Sequence, residues 1–117
     1  MSHIVVDMNN PTPPYEQVRR EIIEQVRTGE LKPGDKLPAI RVLAGDLGLA
    51  AGTVARAYKE LEAGGLIETR GRAGSVVTGG GVERAARQAA AAYVERVRAL
   101  GVPDTEALAL VRRTLDV

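Results

Sequence analysis

The sequence predicts a mainly α-helical chain with one small β-hairpin. Three features carry that expectation. Apolar residues recur at three- and four-residue spacings in stretches long enough for helices. Glycines stand where those stretches stop, at Gly29, Gly48, Gly64, Gly65 and Gly101. One segment, LIETRGRAGSVVT, breaks the helical spacing and reads as two short strands around a glycine-bearing turn.

The chain has 117 residues, 44% of them apolar, and its only aromatic residues are three tyrosines. A core is possible, but it must be aliphatic and thin, so oligomerisation would help it. There is no cysteine, which excludes disulfide scaffolds, thiolate zinc sites and cysteine nucleophiles. No apolar run approaches the roughly 18 residues of a membrane span. The N-terminus lacks the basic-then-apolar pattern of a signal peptide. A cytoplasmic protein with no membrane partner is expected. The net charge of +1 is not the footprint of an overtly basic nucleic-acid binder, so the distribution of charge counts for more. Residues 69–75 hold Arg70 and Arg72 with no acid, whereas Tyr15 to Glu30 mixes both signs as a solvated helix face does.

Residues 1–13 form a polar arm carrying Pro11 and Pro13, with a short extended piece expected at Ile4–Val6. Helix 1 starts near Pro14, since proline is tolerated in a first turn. Tyr15, Val18, Ile22 and Val26 give it an apolar stripe that Ile23 widens, and Gly29 is its natural left-handed cap. In LKPGDKLP, Pro33-Gly34 fits the centre of a type II turn. Helix 2 runs from about Ala39 to Leu47, with Ile40, Leu43, Ala44 and Leu47 facing inward, and Gly48 breaks it. Helix 3 runs from about Ala51 to Ala63, with Val54, Ala57, Tyr58 and Leu61 inward. After the hairpin, residues 79–81 read as a glycine linker. Val82 to Leu100 is helical, and a last helix starts at Pro103-Asp104, with Asp104 as its N-cap, and reaches about Leu115. The expected organisation is an arm at 1–13, a domain at 14–78, the linker, and a helical segment at 82–117.

The window from Ile40 to Lys59 has the marks of a helix-turn-helix. Ala44 is the small residue where two helices cross, and Gly48 tolerates the positive φ of the turn. Leu43, Leu47, Leu49, Val54 and Ala57 lock the second helix. An ordinary helical hairpin with a glycine turn would show much of this pattern too. The following hairpin, with arginines at its tip, favours a winged helix-turn-helix, in which helix 3 enters the major groove and the hairpin lies beside the duplex.

The stretch YEQVRREIIEQVRTGELKPGDKLPAIRVLAGDLGLAAGTVARAYKELEAGGLIETRGRAGSVV resembles the DNA-binding domain of the GntR family of bacterial transcription regulators. The matching pieces are G-x-L-x-P-G-x-K-L-P, R-x-L-A-x-x-L-G, T-V, L-x-x-x-G-L-I and the G-R-x-G of the wing, from Tyr15 to Val77. The two-helix tail resembles that of the YtrA-type subfamily, a small dimerisation segment. The resemblance implies a homodimeric repressor, less often an activator, acting on double-stranded operator DNA. Three departures stand out. Ala39 replaces the usual capping serine, at a cost of about 1 kcal/mol. Ala50, Ala51 and Gly52 replace the polar or basic residues that usually enter helix 3. The wing reads Gly74-Ser75-Val76 where an aromatic is common.

Candidate DNA-binding residues follow. The resemblance implies a base or phosphate contact for Arg41. At about 100° per residue, Gly52, Arg56 and Lys59 fall opposite Val54, Ala57 and Leu61, and Thr53 of the T-V motif stands at the same front end. Small residues there let the helix terminus approach the duplex, where its free N–H groups favour a phosphate. Glu60 and Glu62 imply that the back half of helix 3 leaves the groove. Arg70 and Arg72 flank Gly71 at a wing tip suited to the minor groove or to phosphates. Lys36 is a further phosphate candidate, and Tyr15 reads as a core-edge aromatic.

In the tail, Val82, Ala86, Ala89, Tyr93, Val97 and Leu100 form a stripe typical of a helix–helix seam. Leu108, Val111 and Leu115 add to it from the last helix. The expected partner is the twofold mate, although folding back on the same subunit would also bury this surface. A small-molecule effector, if one acts, would sit between subunits or between tail and DNA-binding domain. No cofactor or metal site is expected. His3, the only histidine, lacks a His-Glu-x-x-His pattern. Asp7, Asp35 and Asp46 show no paired spacing, and Gly79-Gly80-Gly81 lacks the lysine and threonine of a phosphate loop. The near-neutral charge leaves a second function open, a winged helix used for protein–protein contact. DNA binding through phosphates would differ from it by weakening steeply with salt.

Overall fold

The computed structural model describes residues 4–117, so His3 lies outside the described residues. Five α-helices and one hairpin follow in order: α1 (Pro14–Thr28), α2 (Ile40–Leu47), α3 (Ala51–Ala63), β1 (Ile67–Thr69), β2 (Ser75–Val77), α4 (Gly81–Ala99) and α5 (Asp104–Leu115). The chain divides into two compact units, one ending at Ala85 and one starting at Ala86.

In the first unit α3 is the hub, packed against α1, α2 and β1. Its buried residues are Val54, Ala57, Tyr58 and Leu61. They meet Val18 and Ile22 of α1, Leu43 and Ala44 of α2, and Leu66, Ile67 and Val77 of the hairpin. Leu31 and Leu37 close the core from the loop between α1 and α2. Glycine sets two of the corners. Gly48 takes φ +68° and ψ 32° at the end of α2, where the Leu49 amide returns to the Ala44 carbonyl at 2.9 Å. Gly34 takes φ +87° in a turn closed by the Asp35 amide on the Lys32 carbonyl at 2.9 Å, as a type II turn requires.

Three local results add to the sequence expectation or differ from it. The polar arm is anchored: Ile4 is buried in the core, and the Gln17 side chain grips the arm. Its amide group donates to the carbonyls of Asp7 (3.0 Å) and Thr12 (2.8 Å), and its oxygen accepts from the Asp7 amide (2.8 Å). The wing also gains a third rung. β1 and β2 pair antiparallel with Ile67 opposite Val77, and Lys36 bridges to Val76 on the other side of β2. Finally, Pro103 is the N-cap of α5 and Asp104 is its first residue. Asp104 receives a two-point hydrogen bond from Arg98 at 3.0 and 3.1 Å, so its carboxylate caps no amide.

The glycine run is a turn into α4, whose first residue is Gly81. The Arg84 side chain lies over Gly80 where a Cβ would stand, and its guanidinium donates to the Gly79 carbonyl at 3.2 Å. Val82 packs on the core of the first unit. The division of the chain therefore falls after Ala85, inside α4 rather than at the glycines.

Candidate nucleic-acid interface

The helical period that buries Val54, Ala57, Tyr58 and Leu61 leaves Gly52, Arg56 and Lys59 exposed on the opposite side of α3. Thr53 is half-buried at the flank. Ala50, the N-cap, offers no side-chain hydrogen bond, so the first-turn amides face outward without a side-chain acceptor. Ala39 leaves α2 in the same state. Arg41, exposed in the first turn of α2, stands close to that second uncapped end.

Three braces fix the cation-bearing elements to α3. The Tyr58 hydroxyl donates to the Pro38 carbonyl at 2.8 Å, which sets where α2 and Arg41 begin. Burial holds the Tyr58 hydroxyl neutral, its pKa raised from 10.0 to about 12. The Glu62 carboxylate accepts from the Thr69 amide (2.9 Å) and hydroxyl (2.6 Å), which ties the wing to the end of α3. Glu60 accepts from Arg19 of α1 and from Arg56, the latter at 3.3 Å. The two acids that the sequence offered as a sign of departure from the groove are thus engaged as internal struts. The Arg56–Glu60 pair is a local i,i+4 contact, whereas Arg19 lies 41 positions from Glu60 and Thr69 lies beyond the end of α3, so helical periodicity reveals neither.

Arg56 is held most fully. Besides Glu60, it donates to the Tyr15 hydroxyl at 3.1 Å, and its guanidinium lies 3.7 Å from the centre of the Tyr15 ring. Tyr15 is half-buried at the start of α1, outside the core cluster and against Arg56 instead. At the wing, Arg70 pairs with Glu68 at 2.6 Å, an acid just outside the window that the sequence marked as purely basic. Gly71 takes φ +53° at the tip, beside exposed Arg72. Lys36, Arg41, Lys59 and Arg72 make no side-chain hydrogen bond or ion pair among the described residues. Lys36 is brought to the wing by its bridge to Val76. Among the described residues, no group of three or more His, Cys, Asp or Glu could hold a metal ion.

The second unit has one buried residue, Ala107. Tyr93 donates from its hydroxyl to the Ala107 carbonyl at 2.8 Å, closing α4 on α5. Tyr93, Val97 and Val111 are half-buried, while Ala86, Ala89, Leu100, Leu108 and Leu115 are exposed. Leu100 is 79% exposed and Leu115 67%. Val82 belongs to the first unit and packs against its core. Val94 and Leu110, absent from the stripe read in the sequence, are also exposed, and Val94 lines a shallow hollow with Ala90, Ala91, Glu95 and Arg98.

Three helices, the second and third joined by a glycine turn, and a hairpin braced on the third define a winged helix-turn-helix, the fold of a class of transcription regulators. The chain belongs to the GntR family of bacterial regulatory proteins, whose model matches residues 14–77. The HTH-type transcriptional regulator Rv1152 of Mycobacterium tuberculosis is 45% identical over 112 residues, covering 95% of this chain and 93% of that protein. The solved structure of YtrA from Sulfolobus acidocaldarius, a GntR-family transcription factor, matches with a TM-score of 0.66 and 34% identity over 97% of each chain. The AraR DNA-binding domain, solved in complex with operator ORX1, matches with a TM-score of 0.59 and 26% identity over 67% of this chain and 100% of that one. These relatives carry the names of regulators, not of enzymes. No helix among the described residues is long and apolar enough to cross a membrane.

Proposed function

We propose that the protein is a homodimeric repressor that reads a pseudo-palindromic operator with α3 in the major groove and the wing on the minor groove or backbone. The observation that carries this reading is the outward face of α3. Gly52 lets the helix end approach closely, and Arg56 and Lys59 follow on the same face. Arg41, Arg72 and Lys36 stand on elements braced to that helix, and their side chains have no hydrogen-bond or ion-pair partner among the described residues. The AraR complex supports the same use of a related fold.

The tail supports the dimer. A unit of this size with one buried residue cannot bury enough apolar surface to stand alone. A second copy would cover Leu100, Leu108 and Leu115. Two recognition helices related by a twofold axis read half-sites about one helical turn apart. A dimer spread over such a site excludes other proteins from it, which supports repression in the cytoplasm, where bacterial DNA lies.

Selection of bound sequences from random DNA, followed by a salt titration on the winner, tests the proposal. Two related half-sites and an affinity that falls linearly in log–log form with salt are expected. No enriched sequence, or binding indifferent to salt, would refute it and favour a protein–protein module.

A further inference from the structure

We propose that Tyr15 is a positioning residue for operator binding: its ring and hydroxyl hold the Arg56 guanidinium ready for a DNA phosphate. The proposal rests on the reading above that the outward face of α3 meets DNA.

The geometry carries it. The helix enters with Ala50, Ala51 and Gly52, so Arg56 is the first cation on the outward face of α3. A free arginine has many rotamers to lose when it docks. Here that freedom is already restricted. One face of the guanidinium covers the Tyr15 ring at 3.7 Å, Nη2 donates to the Tyr15 hydroxyl, and Nε donates to Glu60. Nη1 and the other face stay open. Glu60 does not cancel this charge by itself, because Arg19 shares the same carboxylate. The Arg56 side chain remains 61% exposed, and ion pairs so exposed add little to folding. What the arrangement does provide is a fixed direction for the guanidinium. Tyr15 lies 41 positions earlier in the chain, outside the helix-turn-helix, so α1 takes part in recognition through this contact.

The experiment is a double-mutant cycle on operator affinity in the full-length chain across a range of salt. Arg56→Ala should weaken binding and lower the salt slope by about 0.9 per subunit, the loss of one phosphate contact. Tyr15→Leu should weaken binding roughly three- to tenfold, the cost of immobilising one long side chain on binding, with the salt slope unchanged because Arg56 still reaches its phosphate. In the Arg56→Ala background, Tyr15→Leu should have no further effect. Tyr15→Phe keeps the ring, loses the hydroxyl bond and should fall about twofold, again only when Arg56 is present. A merely structural role for Tyr15 would give the same loss in both backgrounds, and that result overturns the proposal. So does wild-type affinity in Tyr15→Leu while Arg56→Ala is weakened. If Tyr15→Leu does not fold, Tyr15→Phe decides, and an unchanged affinity overturns the proposal. Arg56→Ala with unchanged affinity and slope overturns instead the reading on which the proposal rests.

Discussion

The Tyr58 hydroxyl donates to the Pro38 carbonyl at 2.8 Å, so the core side of α3 fixes the point where α2 begins. Ala39 follows Pro38 as the N-cap and supplies no hydrogen bond of its own. The entry of α2 therefore depends on a residue of α3 for the fixation that a serine cap would provide locally. Tyr58→Phe keeps the ring volume and leaves that carbonyl without its donor. A loss of about 1 kcal/mol in stability is expected, read as a lower denaturation midpoint at constant denaturant slope. Operator affinity should fall with it, since Arg41 sits in the released turn.

The same hydroxyl gives a pH signature. Its folded pKa of about 12 lies above the ordinary 10.0 because burial disfavours the phenolate. Below pH 10 the group is neutral in both states and contributes fully. As pH rises from 10 towards 12, the unfolded chain releases the proton first, so it binds fewer protons and stability falls. Unfolding curves of the wild type and of Tyr58→Phe should therefore converge between pH 10 and 12. Parallel pH profiles would contradict the assignment.

Arg41 tests the contribution of α2. Its side chain is exposed and has no partner among the described residues, so its removal should leave stability within about 0.5 kcal/mol. If its guanidinium meets a guanine edge, Arg41→Ala costs about 1–3 kcal/mol of binding and relaxes specificity at one position of each half-site. A uniform loss over all operator variants, with a shallower salt slope, would make it a phosphate contact instead.

The wing arginines should not be equivalent. Arg70 is paired with Glu68, whereas Arg72 is free among the described residues. Arg72→Ala should lower the salt slope by about 0.9 per subunit, as for one neutralised phosphate. Arg70→Ala should lower it less, because Glu68 already offsets part of its charge. Equal slopes for the two variants would show that the Glu68 pair opens on the DNA.

What the sequence revealed and what it hid follow from the range of the forces involved. The bounds of α3 and its buried residues Val54, Ala57, Tyr58 and Leu61 agree with expectation because a 3.6-residue period between glycines is a local signal. The glycine turn at Gly48 was legible for the same reason. The burial of Ile4, the Gln17 clasp, the Lys36 bridge to β2, the Arg19–Glu60 pair and the Glu62–Thr69 contact were not, since each joins residues on different elements. Periodicity in the tail names a face without naming its neighbour. Tyr93 donates its hydroxyl to Ala107 of its own chain and keeps its ring half-buried. The exposed Val94, Leu100, Leu108, Leu110 and Leu115 pose the question of what that face meets.

That question gives the last expectation, that the tail makes the dimer and the dimer makes the affinity. One winged helix whose recognition helix opens with Ala50, Ala51 and Gly52 has few polar arms for bases, so a single half should bind weakly. Two halves joined by their tails gain an effective concentration that reaches roughly millimolar for short connections. A chain ended after Ala85 keeps α1 to α3, the hairpin and the Val82 contact on the core, and it removes the exposed apolar residues of α4 and α5. It should fold as a monomer and lose at least about tenfold in operator affinity, or 1.4 kcal/mol. In the full chain, Leu108→Glu puts a charge on an exposed position, where monomer stability should change by no more than about 0.5 kcal/mol. If Leu108 lies in the seam, that change should produce the same monomer and the same loss. Sedimentation and a binding titration read both variants. A truncated chain that stays dimeric would place the dimer interface in the first unit instead, and a monomeric one that binds as tightly as the full chain would refute the link from dimer to affinity.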